Sequence, residues 1–227
     1  MASARHFKDG LYEYFARIGK ATGSPKRLEI LDLLCQCEKS VEQIAKDADL
    51  DVKNASAHLK VLYSARLVDS RRDGKRVYYH IADATVVEYW MTTRTMAERR
   101  FAEIERAVTN YFNERETMVT IDRQVLLGKA RKGEVIVLDV RPRSEYEQAH
   151  LPHARSVPLA ELEQCLAALP RNKQIIAYCR GPYCVLSTGA VELLRKRGFE
   201  ASRLADGVLE WQAAGLPLAH VVSSKKG

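Results

Sequence analysis

The sequence predicts two domains: a mostly helical N-terminal domain with a winged helix-turn-helix, and a C-terminal α/β domain with a parallel sheet. Three patterns predict this architecture. Two short helices joined by a turn precede a β-hairpin, a long helical stretch without Gly or Pro follows, and strands alternate with helices in the C-terminal half. We place the domains at residues 1–116 and 117–227.

Composition indicates a globular protein with a basic surface. Of the 227 residues, 46% are hydrophobic and 29% are charged, so each domain can bury a core. The net charge of +7 favours a polyanion as partner. No apolar run could cross a membrane and no signal core follows the N-terminus, so we expect a cytoplasmic protein without a membrane partner. Five cysteines, an odd number, favour reactive or metal-binding thiols over a disulfide framework.

Local signals set the order of the N-terminal elements. Apolar residues at helical spacing predict a helix over residues 5–20, and Ser24 followed by a proline predicts the start of a second helix. A capping box that begins at Ser40 predicts a short third helix. After a turn at 47–50, Asp51 is placed to cap a fourth helix, and the last two helices form a helix-turn-helix.

The fourth helix and the hairpin after it carry many of the basic residues of this domain. We predict the two strands at 67–71 and 76–81. A basic helix in the major groove and a basic hairpin beside it can hold phosphates on both sides of the groove. We therefore expect contacts with a double-stranded DNA operator, and a solvated charged face is the alternative. The expected DNA-binding residues are Lys53, Asn54, Ser56, Ala57, His58, Lys60, Arg71, Arg72, Lys75 and Arg76.

The stretch from Ala84 to Glu116 contains no Gly or Pro and predicts one unbroken helix. Apolar residues recur along it at alternating intervals of three and four residues and form an apolar stripe on one side of the helix, the seam, which one arginine interrupts. The seam consists of Val87, Trp90, Arg94, Ala97, Phe101, Ile104, Val108 and Tyr111. We expect this helix to pair with a second copy and form a homodimer, with the N-terminal helix joining. Packing against the C-terminal domain is the alternative.

The C-terminal half predicts a regular alternation of helices and strands. Thr120 is placed to cap a helix that runs to about Lys132, and the apolar run at 134–140 predicts a buried strand. Ser144 begins a second capping-box pattern. The remaining predicted elements are helices over 159–169 and 186–197 and strands over 175–178 and 201–204. Ligands of such sheets lie at the carboxyl ends of the strands, which is where Cys179 falls.

Cys179 is the residue around which the functional hypothesis is built. It follows a short strand and precedes a Gly-Pro loop and a helix, where backbone N–H groups and the helix dipole lower a thiol pKa and bind anions. A packed, inert cysteine is the alternative. Cys184 could resolve a sulfenic acid or persulfide on Cys179 as a bridge, or be an inert residue of the first helical turn. Cys165 is expected in the core.

Four motifs in the N-terminal half carry a family resemblance: RLEIL at 27–31, SVEQIA at 40–45, SAHLKVL at 56–62 and GKRVYY at 74–79. In order and spacing they resemble the ArsR family of winged-helix repressors, over about residues 5–115. The resemblance implies a homodimer that binds a palindromic operator and is released by an inducer. Metal-sensing members carry a Cys-Val-Cys box that would align near 39–41, and this chain has no cysteine there.

Cys35 and Cys37 form a Cys-x-Cys pair just before that position, at the end of the second predicted helix. Two thiolates can bind a soft metal ion, although they rarely suffice alone. The alternative is that Cys35 belongs to the core and Cys37 is a surface turn residue. We therefore expect no metal site and keep the two cysteines as weak candidates.

The C-terminal half carries four further motifs: DVR at 139–141, EYEQAHLPHA at 145–154, YCR at 178–180 and DGVLEW at 206–211. They resemble a single rhodanese domain over residues 118–220. The resemblance implies that Cys179 is the catalytic cysteine, which carries a persulfide between sulfur donor and acceptor, and that Arg180 adds positive charge. The resemblance further implies the following roles: an anion cradle of backbone N–H groups at Gly181, Tyr183 and Val185, and a structural pair of Asp139 and Arg141.

The loop after Cys179 departs from the rhodanese pattern. The family usually places a small residue six positions after the cysteine, whereas Ser187 stands eight positions after it, so the loop is longer by two residues. A longer loop implies a wider cradle and a substrate other than thiosulfate. A resolving cysteine in that loop suits a sensor better than a fast transferase, because bridging competes with transfer.

These patterns lead to one hypothesis and two alternatives. We expect a homodimeric DNA-binding regulator, a repressor, whose rhodanese-like domain senses reactive sulfur or an oxidant through Cys179 with Cys184. The first alternative is an active sulfurtransferase tethered to DNA. The second is an arsenite- or soft-metal-responsive repressor that uses Cys35 and Cys37. No cofactor is expected, and enzymatic turnover is left open.

Overall fold

The chain divides into two units between Arg100 and Phe101. The computed structural model describes residues 4–113, 118–119 and 121–221. Within these ranges no helix is both long enough and apolar enough to span a membrane. The first unit contains α1 (Ala4–Thr22), α2 (Pro25–Gln36), β1 (Lys39–Ser40), α3 (Val41–Asp47), α4 (Val52–Ser64), β2 (Val68–Asp73), β3 (Arg76–Ile81) and α5 (Ala84–Arg100).

Capping residues start the helices of the helix-turn-helix as predicted. Ser40 and Gln43 form a reciprocal capping box at α3, and the Asp51 carboxylate accepts the backbone N–H of Asn54 at the start of α4. One face of α4 packs into the core under α2 and α3, so its opposite face is turned outward; the buried residues are Ala55, Leu59 and Leu62. β2 and β3 form the predicted hairpin, and β1 pairs with β3 to give the antiparallel order β1-β3-β2.

The prediction of one unbroken helix over 84–116 is wrong. α5 ends at Arg100, and a second helix, α6 (Ala102–Asn113), begins after a break at Phe101; residues 114–116 lie outside the described ranges. The charges explain the break, because basic residues favour a helix C-terminus and acidic residues a helix N-terminus. Those residues are Arg99 and Arg100 in the last turn of α5, and Glu103 and Glu105 in the first turn of α6.

The second unit is an α/β domain with a parallel sheet, as predicted. Besides α6, its elements are β4 (Met118–Val119), α7 (Arg123–Lys132), β5 (Val135–Asp139), α8 (Arg143–Gln148), β6 (Arg155–Ser156), α9 (Leu162–Cys165), β7 (Gln174–Tyr178), α10 (Leu186–Lys196), β8 (Ala201–Leu204) and α11 (Val208–Ala213). The strand order is β4-β8-β7-β5-β6, with parallel pairing throughout. Apolar clusters cover both faces of β5 and β7, so these central strands are buried. Asp139 at the end of β5 lies opposite Tyr178 at the end of β7, which places Cys179 at the same edge of the sheet.

Three local predictions in this domain need correction. Asp122 caps α7, whereas Thr120 lies outside the described residues. α8 starts after Pro142 rather than at a Ser144 capping box, because the fixed φ of proline suits the residue that leads into a helix. The helix expected over 159–169 is the single turn of α9 flanked by two short 3-10 turns.

Candidate functional site

Cys179 lies at the carboxyl end of β7, in the loop that leads to α10. Only 1% of its surface is exposed, and it packs in the apolar cluster beneath α10. The loop folds back on itself, since the N–H of Cys184 donates to the carbonyl of Gly181 at 3.2 Å. Gly181 has a φ of 147°, in the region that favours glycine. The thiol is therefore enclosed between the strand and the first turn of the helix.

A polar chain runs from the Cys179 thiol to a buried arginine. The sulfur lies 3.3 Å from the carbonyl oxygen of Cys184 and 3.2 Å from the hydroxyl oxygen of Ser187. Ser187 Oγ in turn accepts a hydrogen bond from Arg203 Nε at 3.1 Å. Sequence reasoning missed Arg203, although the signal was visible: it is a lone charged residue in the short strand β8 of a buried sheet.

The two cysteines of the loop differ in acidity. Burial acts most strongly on Cys179 and raises its pKa, but hydrogen bonds from the Cys184 side chain and from Ser187, with the charge of Arg203, together lower the pKa to about 6. The pKa of Cys184 is raised, because its thiol donates that hydrogen bond to Cys179 and because it is buried. Of the two thiols, Cys179 is therefore the one that ionises first.

The charge of Arg180 is directed to a carboxylate rather than to the thiol. Its guanidinium donates to both oxygens of Glu145, with the shortest contact 2.6 Å, and Glu145 is fully buried. Glu145 therefore balances the charge that the resemblance assigned to the cysteine, and Arg203 is the cation that acts on Cys179.

Asp139 and Arg141 form a fully buried ion pair with a closest N–O distance of 2.6 Å. The Tyr178 hydroxyl donates to Asp139 at 2.6 Å, and Arg141 donates to the carbonyl of Ala149 at 2.8 Å. These bonds link β5, β7 and the chain after α8. The geometry fits the structural role that the resemblance implies for the pair.

The remaining loop residues differ in their exposure to solvent. The side chains of Tyr183 and Val185 are exposed, and Gly181 is buried. Behind the loop, a Cβ on Gly207 would lie 2.5 Å from the carbonyl carbon of Arg180 and 2.7 Å from the carbonyl oxygen of Cys179. Only glycine allows the chain after β8 to pass this close to the loop.

The outward face of α4 carries the DNA-binding residues predicted for it. Lys53, Ala57 and Lys60 are exposed, whereas Ser56 and His58 are half-buried. The side chain of Asn54 donates to the capping carboxylate of Asp51 at 2.7 Å, so this amide is engaged within the helix.

The β2–β3 hairpin, which is the wing of the winged helix-turn-helix, exposes its basic residues unequally. Arg72, Lys75 and Arg76 are exposed. Arg71 is held by Glu38, with Nε 2.8 Å and Nη2 2.5 Å from the two carboxylate oxygens, and its guanidinium lies over the ring of Tyr78. A carboxylate therefore competes with phosphate for Arg71, which the sequence pattern did not reveal.

The Cys35–Cys37 pair lacks the features of a metal site. Burial raises the pKa of Cys35 to about 12, with the nearby Asp32 charge adding to the effect, which opposes the thiolate that a metal ion requires. Cys37 is buried at the C-terminal end of α2, so the expectation of a surface turn residue is wrong. Across the residues that the structure describes, no group of three or more His, Cys, Asp or Glu could hold a metal ion.

Two family models match the chain. The model described as Rhodanese-like domain matches residues 122–214, which include Cys179, Ser187 and Arg203. The model described as Bacterial regulatory protein, arsR family, matches residues 24–70, from the start of α2 into β2. Both resemblances inferred from the motifs are confirmed.

Similar proteins include regulators from mycobacteria. The HTH-type transcriptional regulator Rv0324 from Mycobacterium tuberculosis is 42% identical over 218 residues, which cover 96% of each chain. HTH-type transcriptional regulator Rv0081 from the same species is 36% identical over 90 residues, 39% of this chain and 79% of the relative. Among solved structures, the homodimeric winged helix-turn-helix DNA-binding domain of Mb0332 from Mycobacterium bovis (fragment 1–100) is 41% identical, with a TM-score of 0.41; it covers 43% of this chain and 91% of that chain.

Proposed function

We propose, because this chain belongs to the ArsR-type HTH transcriptional regulators and carries a C-terminal rhodanese-like domain, that it is a homodimeric repressor that senses reactive sulfur at Cys179. The inducer class is a polysulfide or persulfide, and a peroxide is the oxidant that the same thiol accepts. Modification of Cys179 lowers the affinity for the operator DNA.

The observation that carries this proposal is the division of roles in the Cys179–Cys184 pair. Cys179 is enclosed and has a lowered pKa, the backbone carbonyl oxygen of Cys184 lies 3.3 Å from its sulfur, and the pKa of the Cys184 thiol is raised. A thiolate is the nucleophile for sulfane sulfur and for peroxide, and a neighbouring thiol can resolve the product. A reactive thiolate beside a resolving thiol suits a sensor, because modification of Cys179 changes its state and reduction of the resulting disulfide restores it.

The sulfur reaction proceeds in two displacements. The Cys179 thiolate attacks a sulfane sulfur of an inorganic polysulfide; the S–S bond of the polysulfide breaks, the shortened chain leaves with the electron pair, and Cys179 becomes a persulfide. Cys184 then attacks Cys179 Sγ, hydrogen sulfide leaves with the Cys184 proton, and a disulfide remains. With peroxide, Cys179 becomes a sulfenic acid as hydroxide leaves, and attack by Cys184 forms the same disulfide and water.

The DNA-binding half of the proposal is supported by the exposed basic residues of α4 and the wing. The homodimer is supported by large apolar side chains on α1 that stay exposed in the single chain, since such a patch marks an association surface. These residues are Phe7, Leu11, Tyr12, Tyr14 and Phe15.

Within the second unit, Phe112 of α6 lies against Arg203, and α6 follows α5 in the chain after a single residue. We assign α6 as the route by which the thiol loop influences the DNA-binding unit.

An active sulfurtransferase is the second candidate, favoured by the rhodanese-like match and the lowered pKa of Cys179. Turnover requires that the persulfide on Cys179 reach an external acceptor before Cys184 bridges it. Sustained thiosulfate-to-cyanide sulfur transfer that depends on Cys179 would favour the enzyme.

Peptide-resolved mass spectrometry after exposure to inorganic polysulfide tests the proposed chemistry. We expect a persulfide on Cys179 in the Cys184→Ser variant and a Cys179–Cys184 disulfide in the wild type. Cys165→Ser is the matched control and should give the wild-type disulfide. Unmodified Cys179 in both proteins, with modification elsewhere, would refute the proposal.

A further inference from the structure

We propose that Arg203 is a positioning residue for Cys179. By donating a hydrogen bond to Ser187 Oγ, it turns the Ser187 hydroxyl proton towards Cys179 Sγ, and this proton stabilises the thiolate. The inference deepens the proposed function and rests on it, since it concerns how the reacting thiolate of the sensor is held. Arg203 and Ser187 form a relay, from guanidinium to hydroxyl to sulfur.

The direction of the relay follows from the chemistry of its donors. Ser187 Oγ lies 3.2 Å from Cys179 Sγ and accepts the N–H of Arg203 at 3.1 Å. A hydroxyl has one proton and two lone pairs, whereas a guanidinium only donates. With a lone pair taken by Arg203, the hydroxyl proton of Ser187 is available to the sulfur. Arg203 and Ser187 are fully buried and Cys179 nearly so, which strengthens each of these bonds.

The guanidinium of Arg203 is itself fixed on two further sides. Its Nη2 donates to the carbonyl of Pro182 at 2.6 Å and to the carbonyl of Gly181 at 3.3 Å. Its central carbon lies 3.9 Å from the centre of the Phe112 ring. Planar donors held by loop carbonyls and an aromatic face are a geometry that arginine provides and lysine does not.

Other charged groups near the loop are directed elsewhere. The pKa of the Cys184 thiol is raised, so this thiol is neutral at neutral pH. Arg180 is paired with Glu145, and Glu210 accepts the N–H of Gly207 at 2.7 Å while lying against Gly181. Arg203 is thus the cationic side chain whose charge lowers the pKa of Cys179, and its hydrogen bond to Ser187 Oγ connects it to the sulfur.

The pH profile of Cys179 alkylation by iodoacetamide, read by peptide-resolved mass spectrometry on the full chain, tests the relay. Ser187→Ala should raise the pH midpoint by about one unit, because it removes one hydrogen bond to a charged sulfur. Arg203→Lys keeps the positive charge but loses the planar guanidinium with its several N–H donors, and should raise the pH midpoint of alkylation by a similar amount. In the double variant the midpoint should match that of Ser187→Ala, since Arg203 acts through Ser187.

Thr188→Val is the matched control. Thr188 neighbours Ser187 on α10 and is buried, and its hydroxyl has no hydrogen-bond partner among the described residues, so its loss should leave the midpoint unchanged. Circular dichroism confirms that each variant folds. If Arg203→Lys does not fold, Arg203→Gln takes its place, with a raised midpoint again expected.

An unchanged midpoint in folded Ser187→Ala, or additive shifts in the double variant, would overturn the relay. Operator release by polysulfide, measured on the same proteins, separates this failure from failure of the sensor. A shifted midpoint supports the relay even if the wild type never leaves DNA, an outcome that would refute only the sensing role. Release with an unchanged midpoint refutes only the relay.

Discussion

The guanidinium carbon of Arg203 lies 3.9 Å from the centre of the Phe112 ring, and both side chains are buried. Phe112 belongs to α6, which begins one residue after α5 ends. Arg203 holds the loop carbonyls of Gly181 and Pro182 beside Cys179. One contact thus joins the thiol loop to the helix that leads back to the DNA-binding unit in the chain.

Replacing Phe112 by leucine should weaken the response to polysulfide. The variant stays apolar but loses the face that contacts Arg203, a contact of about 1 kcal/mol, so the inducer-dependent loss of operator affinity should shrink about five-fold. Fluorescence anisotropy titrations before and after polysulfide measure this response. The reduced variant should bind DNA as the wild type does. Asn110→Ala, exposed on the same helix, is the control, and an undiminished response in Phe112→Leu would rule out this route.

The rate at which the Cys179 thiolate reacts with a polysulfide should depend on pH as its lowered pKa dictates. With dimethyl trisulfide, a reagent without titrating groups, the Cys179 thiolate attacks one sulfur atom, a methyl-capped sulfur anion leaves and a methyl-capped mixed sulfide forms on Cys179. The rate of this reaction should be level above neutral pH and fall as the pH drops through about 6. Because the folded pKa lies below the ordinary thiol value of 9.0, the thiolate adds stability that is full above that value and lost as the pH falls to about 6. Cys184→Ser should move the rate profile to higher pH. A wild-type rate still rising through pH 9 would contradict the lowered pKa.

Gly207→Ala should destabilise the second unit. The new Cβ would lie under 3 Å from backbone atoms of Arg180 and Cys179, and relieving such overlap costs about 1–3 kcal/mol. Gly128→Ala is the control: it sits in α7 with nothing within 4 Å of its Cβ, and should stabilise by about 0.5–1 kcal/mol. Urea unfolding followed by Cys179 alkylation measures both. Equal midpoints for the two variants would show that the close approach has no energetic weight.

Glu38→Gln should strengthen DNA binding. The carboxylate that holds Arg71 would be lost, and the arginine could then contact a phosphate. The slope of the logarithm of the binding constant against the logarithm of the salt concentration should then become steeper by about one unit, because about one more counterion is released. Arg72→Ala, at an exposed neighbour, should reduce the slope by a similar amount. Anisotropy titrations over a series of salt concentrations give both slopes. An unchanged slope in Glu38→Gln would contradict the view that Glu38 withholds Arg71 from phosphate.

The sequence predicted those elements whose signals are local. The caps at Ser40 and Asp51, the hairpin, the buried strands and the position of Cys179 follow from patterns a few residues long. Apolar spacing alone suggested an unbroken helix past Phe101, because heptad matching gives no weight to the charges of a helix end.

The partners of the site residues were not predictable in the same way. Glu145 lies 35 positions before Arg180, and Ser187 lies 16 positions before Arg203, so each pair meets only through the packing of the sheet. The resemblance to rhodanese domains therefore assigned the charge of Arg180 to the thiol, and the arginine that acts on it went unnoticed in β8.

The central claim is that chemistry at Cys179 controls DNA binding. Its most direct test uses an operator that the reduced protein selects from a random DNA library, titrated with wild type, Cys179→Ser and the control Cys165→Ser. We predict that polysulfide weakens operator binding by wild type and Cys165→Ser about ten-fold or more, equivalent to about 1.4 kcal/mol, and leaves Cys179→Ser bound. Unchanged wild-type affinity, or equal release of Cys179→Ser, would contradict the claim.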